Sequence, residues 1–263
     1  MTALKKGMSH LGFSGHSPVP FPNHFAIAYD EVQPYCNEIL RLKKEYADRI
    51  SVSLGMEFDY IPIIMENLPQ LAKNYGLEYY IAAVHMVANP DEFDPEDENA
   101  DLWFIDGSKI EAYDQGLQNI FHGDIRKGVR AFFEQSIAMV EKGKPDVIGH
   151  IDKIKMNNKE RYFREDEKWY QDLFMQTLET VKQHDVICEI NTRGIYRNRH
   201  PDFYPSLSSW KTLHEMKIPV TFSADAHQPE EVDALFDEVI EGLKNAGYRE
   251  IRYFENGWKT IGI

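Results

Sequence analysis

The chain has 263 residues, 43% hydrophobic and 13% aromatic, enough to bury the core of one large α/β domain or two small ones. It carries 29 Lys and Arg against 43 Asp and Glu, a net charge of −14, which repels nucleic acid and anionic lipid from its general surface. No apolar run approaches the ~20 residues that span a bilayer, the opening MTALKKGMSH has no signal-peptide core, and Cys36 and Cys188 form no CxxC pair; these features predict a cytoplasmic protein without a disulfide scaffold.

In chain order, the run LGFSGH (11–16) predicts a strand and 28–48 an amphipathic helix. SVSLGMEFDY (51–60), YYIAAVHMV (79–87), PDVIGHID (145–152), DVICEINT (185–192) and PVTFSADAH (219–227) predict further strands. Helical patterns cover 62–75, 124–143, 166–184, 206–216 and 229–246. Each strand run reads as apolar on both faces, as expected of parallel strands buried between layers. Gly or Pro marks most junctions, and strand-then-helix repetition implies a parallel sheet, open or closed into a barrel. The least regular part, 88–123, begins with ANPDEFDPEDENADLWFIDG and reads as a long acidic insertion over one strand end, with 88–107 as a possible lid.

The strand ends carry the chemistry. His16, Glu57 with Asp59, His85, His150 with Asp152, Glu189 with Asn191, and Asp225 with His227 all fall at the carboxyl ends of these runs, where parallel α/β folds bind ligands. A single such histidine means little. Four histidines with carboxylates in the same positional role predict a site for several metal ions, because neutral imidazole and carboxylate are the usual ligands of zinc, manganese and iron. A metal-free acid–base site is the alternative. Several ions suit phosphate ester hydrolysis: they neutralise phosphate oxygens, lower the pKa of a bound water towards ~7 and stabilise the leaving oxygen. They would also let an acidic protein hold an anionic substrate.

The motifs GFSGHSPVP, GMEFDY, AAVHMV, VIGHIDKIK, EINTRG and SADAH together resemble the PHP (polymerase and histidinol phosphatase) superfamily, and within it the monofunctional histidinol-phosphate phosphatases. The resemblance runs over nearly the whole chain. It implies a single domain over 1–263 with a distorted (β/α)7 TIM-like barrel and a site of up to three ions of Zn, Mn or Fe. By motif, Glu57 would bridge two ions. His85 and His150 would complete the second ion with it, and Asp225 would hold the first ion beside Glu57. His16 and His227 would hold the third. The catalytic proton donor to the leaving alkoxide would be Asp225 or a metal-bound water. Arg197, with Arg193 second, would bind the substrate phosphate, a task suited to the planar fork of arginine. The implied activity is hydrolysis of L-histidinol phosphate to L-histidinol and phosphate in histidine biosynthesis. Its substrate is a small-molecule phosphate ester, with no nucleic-acid or membrane partner.

The sequence departs from the family pattern at its start. The family opens with HxH on its first strand, and no HxH occurs here. The run TALKKGMSH resembles the tail of the family's first helix, so the barrel is expected to lack its first strand and the domain to be N-terminally incomplete. ALKKG reads as the middle of a helix with no cap before it, which points to a longer chain preceding Met1. Fewer than three ions are then possible. Two alternatives remain: another phosphoesterase of the superfamily, and a metal-binding remnant without turnover. Among other residues, Lys153 and Lys155 follow His150 and could steer phosphate, but read rather as solvated loop lysines, Asp59 and Asp152 read as supporting groups behind the ligands, and Cys188 as packing.

Overall fold

Parallel pairing organises the computed structural model, which describes residues 1–65, 67–94 and 101–263. In order, α1 (Thr2–Lys5) precedes β1 (His10–His16), α2 (Val32–Glu45) leads to β2 (Ser51–Asp59), and α3 (Leu68–Tyr75) to β3 (Tyr79–Ala83). The short β4 (Met86–Val87) and β5 (Trp103–Phe104) pair antiparallel, then α4 (Ile110–Phe121) and α5 (Ile125–Gly143) lead to β6 (Val147–Ile148). After α6 (Lys155–Asn158) and α7 (Lys168–Gln183) comes β7 (Ile187–Asn191). Then α8 (Arg193–Tyr196) and α9 (Trp210–Glu215) lead to β8 (Val220–Ser223). Finally α10 (Phe236–Ala246) enters a hairpin of β9 (Glu250–Phe254) and β10 (Trp258–Gly262).

The main sheet has six strands in the order β1-β2-β3-β6-β7-β8, all parallel. Strands adjacent in both chain and sheet, joined by crossovers of the usual right hand, put every crossover helix on one face. The sheet therefore curls with its helices outside, as a half-barrel whose edge strands are β1 and β8.

The register shows how the sequence specifies this. One face carries His10, Gly12, Ser14 and His16 beside Ser51, Ser53, Gly55, Glu57 and Asp59. It continues through Tyr79, Ile81 and Ala83 to Glu189, Asn191, Thr221 and Ser223. The other face carries Leu11, Phe13, Val52, Leu54, Met56, Phe58, Tyr80, Ala82, Ile148, Cys188, Ile190, Val220 and Phe222, all packed into the two apolar clusters under the helices. The strands are thus not apolar on both faces as expected. The inner face is small and polar, because a curled sheet encloses a narrow space with little room for large side chains. Tyr79 fills the lower part of that space: a Cβ on Gly55 would lie 2.5 Å from its ring, and one on Gly12 2.4 Å from its hydroxyl oxygen.

Two parts differ from the sequence expectation. The stretch 88–123 is not simply irregular, since α4 buries Tyr113, Leu117, Ile120 and Phe121; residues 95–100 of the expected acidic lid lie outside the described residues. The β9–β10 hairpin was not expected. Its Phe254 and Trp258 rings meet Tyr79, with centroids 5.2 and 6.0 Å away, Tyr253 meets His10 at 4.6 Å, and the Tyr248 hydroxyl just before β9 donates to the Ile218 carbonyl at 2.8 Å. The hairpin therefore lies across the amino ends of the strands, opposite the polar strand tips. No described helix is long and apolar enough to cross a membrane.

Candidate metal centre

Strand alternation places Glu57 and Asp59 on the same inner face of β2, with His16 directly across from Glu57 on β1. His85 follows the end of β3 and His150 the end of β6. Asp59, fully buried, accepts a hydrogen bond on each oxygen: from His16 Nδ1 at 3.0 Å and from His85 Nδ1 at 2.6 Å. Those bonds fix the tautomers and turn both Nε2 atoms towards Glu57. His16 Nε2 lies 4.0 Å from Glu57 Oε2, and His85 Nε2 and His150 Nε2 lie 3.5 and 3.1 Å from Oε1. His85 Nε2 and His150 Nε2 are themselves 3.1 Å apart. His150 is held from behind, its backbone N–H donating to Glu189 Oε2 at 2.7 Å.

The electrostatics favour a cation. Burial alone would raise the Glu57 carboxyl, but the charges of His16, His85 and His150 outweigh it and hold the group well below its usual range. Asp59 is lowered in the same way by His85 and His16. Burial would lower His16, yet Glu57, Asp59 and Asp225 push it up to about 10. His85 is also raised, burial being outweighed chiefly by Asp106, then Asp59 and Glu57. Glu189 is raised by burial, which the nearby His150 only partly offsets.

The donor set fits a divalent ion. His85 uses its Nδ1–H on Asp59, so its Nε2 has a lone pair facing His150 Nε2 across a gap that only a shared proton or a cation makes favourable. His150 Nδ1 is buried with no hydrogen-bond partner among the described residues. Glu57, His85 and His150 form one group with ligand atoms within 4.8 Å of one another, and His16, Asp59 and His85 another.

The remaining expected residues divide. Asp225, in a left-handed conformation (φ 50), lies in a neighbouring group with Asn191 Nδ2 at 3.5 Å and Arg193 Nε at 3.9 Å from its Oδ2. His227 is half-exposed, its Nδ1 3.5 Å from Asp225 Oδ1, and joins neither ligand group. Arg193 reaches the site, Nη1 donating to the Asp225 carbonyl at 2.6 Å. Arg197 turns outward to Glu231 Oε1 at 3.0 Å with half its side chain exposed.

Lys153 and Lys155 are not solvated loop lysines. Both are buried, at 4% and 1% exposure, because the loop after β6 folds under the segment around Tyr204 and Ser206. Sequence reasoning also missed Asp106, whose Oδ2 lies 3.8 Å from His85 Nε2 and 3.9 Å from Lys153 Nζ. The pairing of β5 with β4 brings it there.

A curled parallel sheet with an imidazole–carboxylate cluster at the carboxyl ends of its strands defines an α/β half-barrel built to hold metal. The chain belongs to the PHP domain family, whose sequence model matches residues 1–193. It is 26% identical to a probable histidinol-phosphatase of Schizosaccharomyces pombe, over 97% of this chain and 82% of that protein. It is 25% identical to the histidinol-phosphatase of Bacillus subtilis, over 91% of this chain and 89% of that one. A putative histidinol phosphatase from Listeria monocytogenes has the same fold, with TM-score 0.77, 18% identity and 90% of each chain covered. So has the histidinol phosphate phosphatase of Lactococcus lactis, solved with zinc, L-histidinol and phosphate, with TM-score 0.70, 17% identity, and 98% of this chain and 90% of that one covered.

Proposed function

We propose that residues 1–263 act as one domain, a metal-dependent phosphomonoesterase that hydrolyses L-histidinol phosphate to L-histidinol and phosphate. The observation that carries the reading is the convergence of the His16, His85 and His150 Nε2 atoms on the Glu57 carboxylate. The names of the relatives supply the substrate. Zinc, manganese or iron held there would neutralise phosphate oxygens and make water a competent nucleophile near neutral pH.

The chain's own residues do the rest. Glu57, His85 and His150 would hold one ion, His16 at the other oxygen of Glu57 would serve a second, and Asp59 keeps two of the imidazoles oriented. The candidate donor of the proton that the leaving alkoxide takes up as the P–O bond breaks is Asp225. Arg193 keeps it in place and retains Nη2 for a phosphate oxygen, while Arg197 meets substrate at the rim. Phe25 and Phe104, with ring centroids 5.9 Å apart and Phe25 5.6 Å from His16, form an aromatic wall suited to an imidazole ring. Two buried, widely separated thiols suit the reducing cytoplasm.

Phosphate release from L-histidinol phosphate by zinc- or manganese-loaded protein tests the reading. We expect kcat/KM for this ester to exceed that for p-nitrophenyl phosphate, and Glu57→Gln to abolish both activities. The position of His227 outside the ligand groups favours a second reading, a protein that binds metal without turnover. Bound zinc with no phosphate released from any ester would establish that one instead.

A further inference from the structure

The cations beside the cluster differ in how fully their donors are used. Lys155 has three partners for its three N–H bonds: Asp152 Oδ2 at 2.7 Å, Glu165 Oε2 at 3.4 Å and the Ser206 hydroxyl. Arg193 spends Nη1 on the Asp225 carbonyl and the Tyr196 hydroxyl. Lys153 is nearly as buried as Lys155. Yet among the described residues its ammonium has no acceptor at hydrogen-bond distance, only Asp106 Oδ2 at 3.9 Å and the face of Tyr204 at 5.1 Å. A buried ammonium with unused donors is costly unless a further acceptor arrives.

The geometry indicates which acceptor. Asp106 Oδ2 is about equally far from His85 Nε2 and Lys153 Nζ, 3.8 and 3.9 Å away. One anionic oxygen thus already spans the imidazole cluster and the ammonium. A phosphate monoester has three terminal oxygens and can offer one to each side.

We infer that Lys153 is a substrate-phosphate ligand at the His85 end of the site, and that Asp106 holds its ammonium there until a phosphate oxygen takes the carboxylate's place. The inference rests on the phosphomonoesterase reading and adds a residue to it. Lys153 makes and breaks no covalent bond; its contribution is charge and position. With Arg193 at the Asp225 end, the phosphate would be gripped from both sides.

The test compares zinc-loaded wild-type, K153M, K153R and D106N chains. It measures kcat/KM for L-histidinol phosphate and the inhibition constants of inorganic phosphate and of L-histidinol. K153M is expected to weaken phosphate inhibition and lower kcat/KM, each by about tenfold or more. L-histidinol inhibition and zinc content should be unchanged, and K153R should recover much of the loss. D106N, which removes a competing anion, should tighten phosphate inhibition severalfold. Unchanged phosphate inhibition in zinc-replete K153M overturns the inference, as does unchanged or weaker phosphate inhibition in D106N, which decides the matter if K153M does not fold. If wild type releases no phosphate from L-histidinol phosphate, the substrate reading falls. Lys153 is then judged by calorimetry of inorganic phosphate binding to the zinc-loaded chain, where the same tenfold loss supports it and an unchanged affinity overturns it.

Discussion

Asp59 uses both oxygens to orient imidazoles, so Asp59→Asn preserves shape while turning one acceptor into a donor. One histidine then loses its orientation, and zinc affinity should fall ~10–100-fold, as read by competition with a chromophoric chelator. Affinity within threefold of wild type would show that packing, not Asp59, sets the rings. The pairing of Glu57 with Asp59 was legible because strand alternation alone puts residues two apart on one face. Lys153 and Lys155 were not, since lysine is almost never fully buried and nothing local shows that the chain near Ser206 folds over them. Asp106 was hidden for another reason. It follows a run of equivalent acidic residues, and only the pairing of β5 with β4 singles it out.

The strands and their partners impose a separate constraint. Tyr79 is wedged between the backbone of β1 and β2 and the hairpin rings of Phe254 and Trp258, so it has nowhere to retreat. Gly55→Ala should therefore destabilise the protein by ~1–3 kcal/mol through overpacking, measured by urea unfolding; an unchanged midpoint would mean the ring moves freely. The hairpin itself had a readable signal: Asn256-Gly257 lies between two β-rich runs, and both residues adopt positive φ, 51° and 122°, in the short loop that joins Phe254 to its partner Trp258, where such residues are favoured. Helix α4 was readable from the spacing of Tyr113, Leu117, Ile120 and Phe121, but Lys109 gives it no side-chain cap. Without a start signal it merged with the acidic stretch before it.

At the scale of the molecule, buried carboxylates and imidazoles crowd one end of the sheet. An ion bound there stabilises the folded state by mass action, ~2.7 kcal/mol at a hundredfold excess over its dissociation constant. Chelation should lower the wild-type melting temperature by several degrees and leave that of Glu57→Gln unmoved, as followed by circular dichroism. The parallel α/β architecture was legible because strand and helix periodicities alternate along the chain. The polar inner face was not, because it depends on curvature, which no single strand reveals. The opposite mouth has a further consequence. His10, at the start of β1, pairs with Glu255 in the turn between β9 and β10, whereas β1 pairs with β2 and β2 with β3. During synthesis the metal-facing strands can therefore assemble while the chain is still emerging, but the ties between its two ends must wait for the hairpin. The nascent protein would carry much of its reactive face before it has a floor, and the last strands to appear would make the structure durable.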